Sequence, residues 1–195
     1  MNASGAPPAS PRVRAADTAL VIVDIQERLA SAMSTSALDV TVRNVMRIIT
    51  AAELFKMPVA ISEQYPKGLG RSLPIVREGL GKLAPAPIYL EKTTFSLAGE
   101  PLMQRFLGVG RATLIVVGME AHVCVFQTVR DLCERGFAVH VPGDAVLSRT
   151  PTNHAVGVGL CERAGAVATS TEAVLFDLLE RAGTEEFRVL SRLIK

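Results

Sequence analysis

The sequence predicts a three-layer α/β/α sandwich around one central, parallel, six-stranded sheet, and three observations predict it. Short apolar runs alternate with longer segments of helical period almost without interruption along the chain. Runs such as residues 114–117, Leu-Ile-Val-Val, carry no polar alternation, as strands covered on both faces do. The composition is 49% apolar but only 5% aromatic, rich in Ala, Val and Leu, which suits helices packed on a parallel sheet. At 195 residues the chain can build one domain with a substantial core and is short for two.

Residues 1–16 are mostly Ala, Pro and Ser with two Arg and no apolar core, so they read as a mobile tail rather than a secretory signal, leaving a domain over 17–195. The first strand, 19–23, runs straight into Asp24. A Ser-rich connection at 31–36 offers helix caps, and Leu38, Val42, Val45, Met46, Ile49 and Ala52 recur at helical spacing over about 38–56. Pro58 ends that helix and 59–61 forms the second strand. Residues 62–71 are polar and rich in Gly and Pro, as a loop on the active side would be.

A short helix around 73–80 precedes Pro85 and Pro87 and the third strand at about 87–91, which ends in Glu91 and Lys92. Pro101 opens the next helix in its first turn, and Gly108 and Gly110 stop it. The fourth strand, within 112–117, breaks at Gly118 and restarts as a helix over about 121–135 that Gly136 ends. The fifth strand covers 137–141, a helix from Pro151 stops at Gly165, and 166–169 is a short sixth strand. Ser170 or Thr171 caps a helix carrying Val174, Leu175, Leu178 and Leu179, and a last helical segment covers about 184–193.

Composition narrows the function. The formal charge of +2 and the lack of a dense Lys/Arg run argue against nucleic acid as a partner. No apolar run approaches the roughly 20 residues of a membrane span. Cys124 and Cys133, nine residues apart on one predicted helix, lie roughly 13 Å apart along it, beyond disulfide reach. With Cys161 they make an odd, unpaired set that fits a reduced, cytoplasmic setting.

Parallel sheets place their chemistry at the carboxyl ends of the strands. Three chemically capable residues fall there: Asp24 after the first strand, Lys92 after the third and Cys124 just past the fourth. A thiol in the first turn of a helix, near a lysine, is expected to favour its thiolate. Gln26, Gln64, Tyr65 and Phe95 follow strands on the same side and are candidate pocket walls. His122, two residues before Cys124, does not share its helix face, whereas His140 near the end of the fifth strand could approach the same edge.

These motifs resemble the isochorismatase-like cysteine hydrolases. The matching pieces, in the family's order, are Asp24-Ile25-Gln26, Glu91-Lys92-Thr93-Thr94-Phe95-Ser96, and Gly118-Met119-Glu120-Ala121-His122-Val123-Cys124-Val125. The segments 63–70 and 120–124 look most like the small isochorismatase-domain hydrolases. The resemblance implies a Rossmann-like, isochorismatase-type sandwich with Cys124 as nucleophile, Asp24 as general acid/base and Lys92 as the supporting cation. It also implies a cis peptide at Met119–Glu120 that turns the Glu120 and Cys124 backbone N–H groups toward one oxyanion, and a homo-oligomer, dimer or tetramer.

Nicotinamidases of this family carry an Asp/His metal cluster after the second strand, but the segment after Ile61 contains no His, so neither a metal nor another cofactor is expected. The expected reaction is hydrolysis of a small amide or ureide-type C–N bond through an acyl-enzyme. Two alternatives stay open: an isochorismatase-type vinyl ether hydrolase, which needs acid catalysis and no thiol, and a non-hydrolytic thiol-based binding or redox protein on the same fold.

Overall fold

The structure, a computed structural model, describes residues 12–194. Its strands are β1 (Thr18–Val23), β2 (Val59–Gln64), β3 (Ile88–Lys92), β4 (Thr113–Met119), β5 (Ala138–Pro142), β6 (Val146–Leu147) and β7 (Val167–Thr169). The helices are α1 (Glu27–Ser31), α2 (Thr35–Leu54), α3 (Pro66–Leu69), α4 (Pro74–Leu80), α5 (Pro101–Leu107), α6 (Phe126–Glu134), α7 (Pro151–Arg163), α8 (Thr171–Leu179) and α9 (Glu185–Ile194). Every strand pairing is parallel, and the main path runs β3-β2-β1-β4-β5-β7. β1, β2 and β4 are buried along their whole lengths, which is why their sequences lack alternation.

The side chains of β1 divide between two cores, as the two-residue period of a strand requires. Leu20 and Ile22 join Val45, Ile48 and Ile49 of α2 with Val174 and Leu178 of α8. Ala19, Val21 and Val23 join Met103 and Phe106 of α5, Val129 and Leu132 of α6, and Cys161 of α7. The sheet is thus covered on both faces, the three layers expected. α9 closes the first core with Leu190 and Phe187 and leaves Val189 and Leu193 outside. Among the described residues no helix is long and apolar enough to cross a membrane.

Two expectations need correction. The sheet has a seventh strand, β6, whose two residues pair with Gly118 and Met119 at the end of β4, beyond the three residues of β4 that pair with β5. Two residues carry no period, so nothing in the sequence pattern marks it. The mobile tail expected over 1–16 does not hold for its described part, from residue 12 on. Its first part, 1–11, lies outside the described residues, but Val13 is fully buried and donates its N–H to Asp177 of α8, and Arg12 pairs with Glu180.

Strand order reverses direction at β1 and β4, the neighbours from which the chain winds outward on both sides. Such a switch point opens a crevice at the carboxyl ends of its two strands. Gly118 brings those ends together: a Cβ at that position would lie 2.0 Å from the Val23 carbonyl oxygen, and its φ of +123° suits glycine.

Candidate functional site

Asp24 is the first residue past β1 and Cys124 lies in the turn past β4, on the two sides of the switch point. Asp24 is completely buried and has left-handed backbone, φ 49°, which aspartate tolerates better than most residues. Its Oδ1 accepts a hydrogen bond from Ser62 Oγ at 2.7 Å, and its Oδ2 accepts one from Lys92 Nζ at 2.7 Å. Lys92 arrives from the edge strand β3, two strands away from β1, on a side chain with no exposure at all. Its ammonium also donates to Gln64 Oε1 at 2.7 Å and to the Phe95 carbonyl at 3.0 Å, with the Thr94 carbonyl at 3.3 Å. The buried cation is therefore fully hydrogen-bonded, the condition for keeping a charge out of water.

The Cys124 thiol lies close enough to this pair for both Asp24 and Lys92 to act on its ionisation. Burial pushes the thiol up to about 12, and the Asp24 charge adds to the rise while Lys92 opposes it. The expected resting thiolate is thus corrected to a thiol. Lys92 is already neutralised by a carboxylate at 2.7 Å, so little of its field is left to stabilise a second anion.

The turn that carries Cys124 is not the ordinary first helical turn that spacing predicts. Residues Ala121–Val125 form a widened π turn, with α6 starting only at Phe126. The Glu120 carbonyl accepts from the N–H groups of Val123 and Val125 and passes over Cys124. The peptide Met119–Glu120 is cis, as the resemblance implied. Glu120 Oε2 accepts from the N–H and the Nε of Arg149, and His122 Nδ1 meets Ser148 Oγ at 3.0 Å.

The candidate pocket walls separate into two kinds. Gln26, fully buried, donates to the Gln64 and Gly70 carbonyls and accepts from the Gln64 N–H, so its amide pins β2 to the loop after it. Gln64 presents Oε1 to Lys92 and donates Nε2 to the Thr93 carbonyl. Both act as supports, for the loop backbone and for Lys92. Tyr65 and Phe95 are about half exposed and face outward. Tyr65 adopts φ 37°, with its N–H bonded to the Lys92 carbonyl and its ring lying over Gly68, and it lines a cleft of about 330 Å³ with Lys92, Thr93 and Glu100.

Size does not select the site: a groove of about 510 Å³ between the start of α2 and residues 143–154 is larger, yet Asp24, Lys92 and Cys124 are not among its walls. His140 lies level with Ile115 in the middle of the sheet, four residues short of Met119 and hence roughly 13 Å back from the edge. Among the described residues no group of three His, Cys, Asp or Glu side chains converges as metal ligands would. Sequence reasoning missed Ser62 and Arg149. Ser62 had a signal, since it directly follows the apolar residues 59–61 and pairs in register with Val23, next to Asp24.

A family model described as the isochorismatase domain matches residues 18–173. The "Secreted isochorismatase effector Isc1" of Phytophthora sojae is 34% identical over 179 residues, 90% of this chain and 83% of that one. The human "Isochorismatase domain-containing protein 2" is 31% identical over 195 residues, 98% of this chain and 90% of that one. A solved structure titled "Structure of MAR1 Ribonuclease from Caenorhabditis elegans" has a TM-score of 0.86 at 38% identity, covering 94% of this chain and 92% of that chain.

Proposed function

The chain belongs to the isochorismatase family, and from that premise we propose that it is a metal-independent cysteine hydrolase of a small amide or ureide-type C–N bond. One observation carries the reading: a buried thiol beside a wholly buried carboxylate–ammonium pair, close enough for both members to act on its ionisation. As the Cys124 sulfur attacks the substrate carbonyl carbon, its proton passes to Asp24. The S–C bond forms, and the carbonyl oxygen becomes an oxyanion held by the Glu120 and Cys124 N–H groups, each typically worth ~3 kcal/mol. Asp24 returns the proton to the leaving nitrogen as the C–N bond breaks. It then takes a proton from water, whose oxygen attacks the thioester and frees the product acid and the thiol. Lys92 pairs with the Asp24 carboxylate and offsets the charge that develops on sulfur.

A thiol pushed this far up by burial rests protonated at neutral pH, so nucleophilicity has to be generated by proton transfer during attack. That also weakens the redox-sensing alternative, since oxidation by peroxide runs through the thiolate. The nematode structure's name raises RNA as a substrate; the nearly neutral charge and the deeply buried cluster favour a small molecule instead. A homo-oligomer belongs to the same proposal and is supported by the apolar Val189 and Leu193 left exposed on α9.

The test is a panel of small amides, ureides, vinyl ethers and RNA oligomers, assayed with wild type, Cys124→Ala and Asp24→Asn. An acyl adduct on Cys124 by intact mass, with turnover lost in both variants, is expected for an amide or ureide. Turnover that survives Cys124→Ala but not Asp24→Asn would move the assignment to the ether hydrolase.

A further inference from the structure

The nucleophile turn is held from behind by one continuous segment. Ser148 Oγ meets His122 Nδ1 at 3.0 Å, and Arg149 donates its N–H and Nε to Glu120 Oε2 at 3.1 and 3.0 Å. Eight residues on, Gly157 of α7 is buried against the peptide that joins Ala121 to His122. A Cβ built on Gly157 lies 2.5 Å from the Ala121 carbonyl carbon, 2.5 Å from the His122 nitrogen and 2.8 Å from the Ala121 oxygen. All three atoms are backbone, so no side chain can swing aside to make room. Gly159, two residues along the same helix, has nothing within 4 Å of its Cβ position.

From these contacts we infer that residues 148–157 are a positioning brace for the oxyanion-binding turn, with Gly157 as its point of closest approach. Glycine is costly within a helix, roughly 1 kcal/mol relative to alanine, and neither φ nor a turn requires it at 157. What does require it is contact distance. Carbon atoms pack at about 3.5 Å or more, so a methyl at 157 displaces the Ala121–His122 peptide by about 1 Å. Glu120 precedes this peptide and Cys124 follows it by two residues, so the displacement falls between the two proposed oxyanion donors. The two tethers act on the same stretch: Arg149 fixes the Glu120 side, and Ser148 fixes His122. The brace is thus a rigid stop, and its effect on chemistry follows from the acyl mechanism proposed above, on which the kinetic half of this inference rests.

The experiment compares Gly157→Ala, Gly159→Ala and Ser148→Ala with wild type in three measurements. Acylation of Cys124 by p-nitrophenyl acetate needs the oxyanion donors. Alkylation of Cys124 by iodoacetamide needs the thiol but no oxyanion donor. Backbone ¹H–¹⁵N spectra report the turn whatever its chemistry. Gly157→Ala is expected to slow acylation by ~10²-fold, the usual consequence of a displacement near 1 Å, while alkylation stays close to wild type.

Gly159→Ala is expected to match wild type in both rates. Ser148→Ala, which adds no bulk and retains the fold, is expected to slow acylation in the same selective way but by less. Amide shifts at residues 120–124 should change in Gly157→Ala and stay put in Gly159→Ala. Equal slowing by the two glycine variants, a parallel loss of alkylation and acylation, or wild-type acylation with an unmoved turn would each overturn the brace. If Gly157→Ala unfolds, seen as alkylation of Cys133 and Cys161 as well, Ser148→Ala decides. If wild type itself is never acylated, the cysteine hydrolase reading fails, and the amide shifts alone uphold or overturn the brace.

Discussion

Replacing Lys92 by Met tests the buried ion pair at the centre of the proposed chemistry. The two side chains are wholly unexposed and 2.7 Å apart, so at an effective dielectric of about 20 their attraction is about 6 kcal/mol before desolvation offsets it. Met fills most of the lysine volume, which keeps the cavity contribution small. What it leaves is an uncompensated Asp24 carboxylate, and Gln64 Oε1 and the Phe95 carbonyl without their donor. Stranding one member of a buried pair costs about 3–5 kcal/mol, and the orphaned acceptors place this case at the upper end. For a chain of this length that is a fall in Tm of roughly 10–20 °C. Urea unfolding, with the m-value held constant, and calorimetry both read it.

A double-mutant cycle with Asp24→Asn isolates the pair, and the coupling should exceed about 2 kcal/mol because Asn and Met together leave no charge behind. A loss below about 1 kcal/mol in Lys92→Met, the range of a surface pair, or an additive cycle, would refute the reasoning.

Three further outcomes follow from the geometry. Burial first, and then the Asp24 charge, raise the Cys124 thiol to about 12, so wild-type alkylation by iodoacetamide should climb steadily through pH 8–10 with no plateau near an ordinary thiol value. Asp24→Asn removes one of these causes, so the variant should alkylate faster at pH 8 although its turnover is lost; slower alkylation would contradict the assigned cause. Glu63 is pulled up by burial but held below its ordinary 4.5 by Arg71 and by the Ser72 N–H and hydroxyl. Its contribution is therefore present above pH 4.5 and fades as pH falls through the lower folded value, so the Tm gap between wild type and Glu63→Gln should shrink on acidification. Gly118→Ala, which sets a methyl 2.0 Å from the Val23 carbonyl oxygen at a φ of +123°, should cost more than about 3 kcal/mol or prevent folding, read by circular dichroism and solubility.

The three candidate residues were legible because each lies at or just past the end of an expected strand, and strand ends in a parallel sheet converge whatever their separation in sequence. Asp24 and Lys92 are 68 residues apart and share a hydrogen bond. The helices were legible from period and punctuation, and Ser170, one of two cap candidates, is the one that accepts from the Ala173 N–H. What stayed hidden was tertiary. β2 continues through Ser-Glu-Gln to Gln64, a polar stretch that reads as loop because its backbone pairing with β3 leaves no trace in side-chain polarity. Gln26 and Gln64 look like pocket walls in one dimension; only the bonds between them and to Lys92 identify them as supports. The state of Cys124 was misjudged because sequence displays a nearby lysine but neither the burial of the thiol nor the carboxylate that has already claimed the lysine's charge.

That claim explains why an ion pair should be retained where an apolar pair would hold the sheet as well. Buried pairs contribute little net stability, and matched neutral replacements are often neutral or stabilising by about 1–4 kcal/mol. The Asp24→Asn/Lys92→Met double variant should therefore approach or exceed the stability of wild type, while either single change falls well below it. If so, nothing about folding demands the charges, and their position against a thiol that cannot ionise alone becomes the reason for them. In the proposed mechanism Asp24 supplies the missing base, Lys92 balances its charge, and Gln64 and the carbonyls of Thr94 and Phe95 hold the lysine in place. A double variant as unstable as the singles would instead make the pair a structural element, and the contact of Cys124 with it incidental.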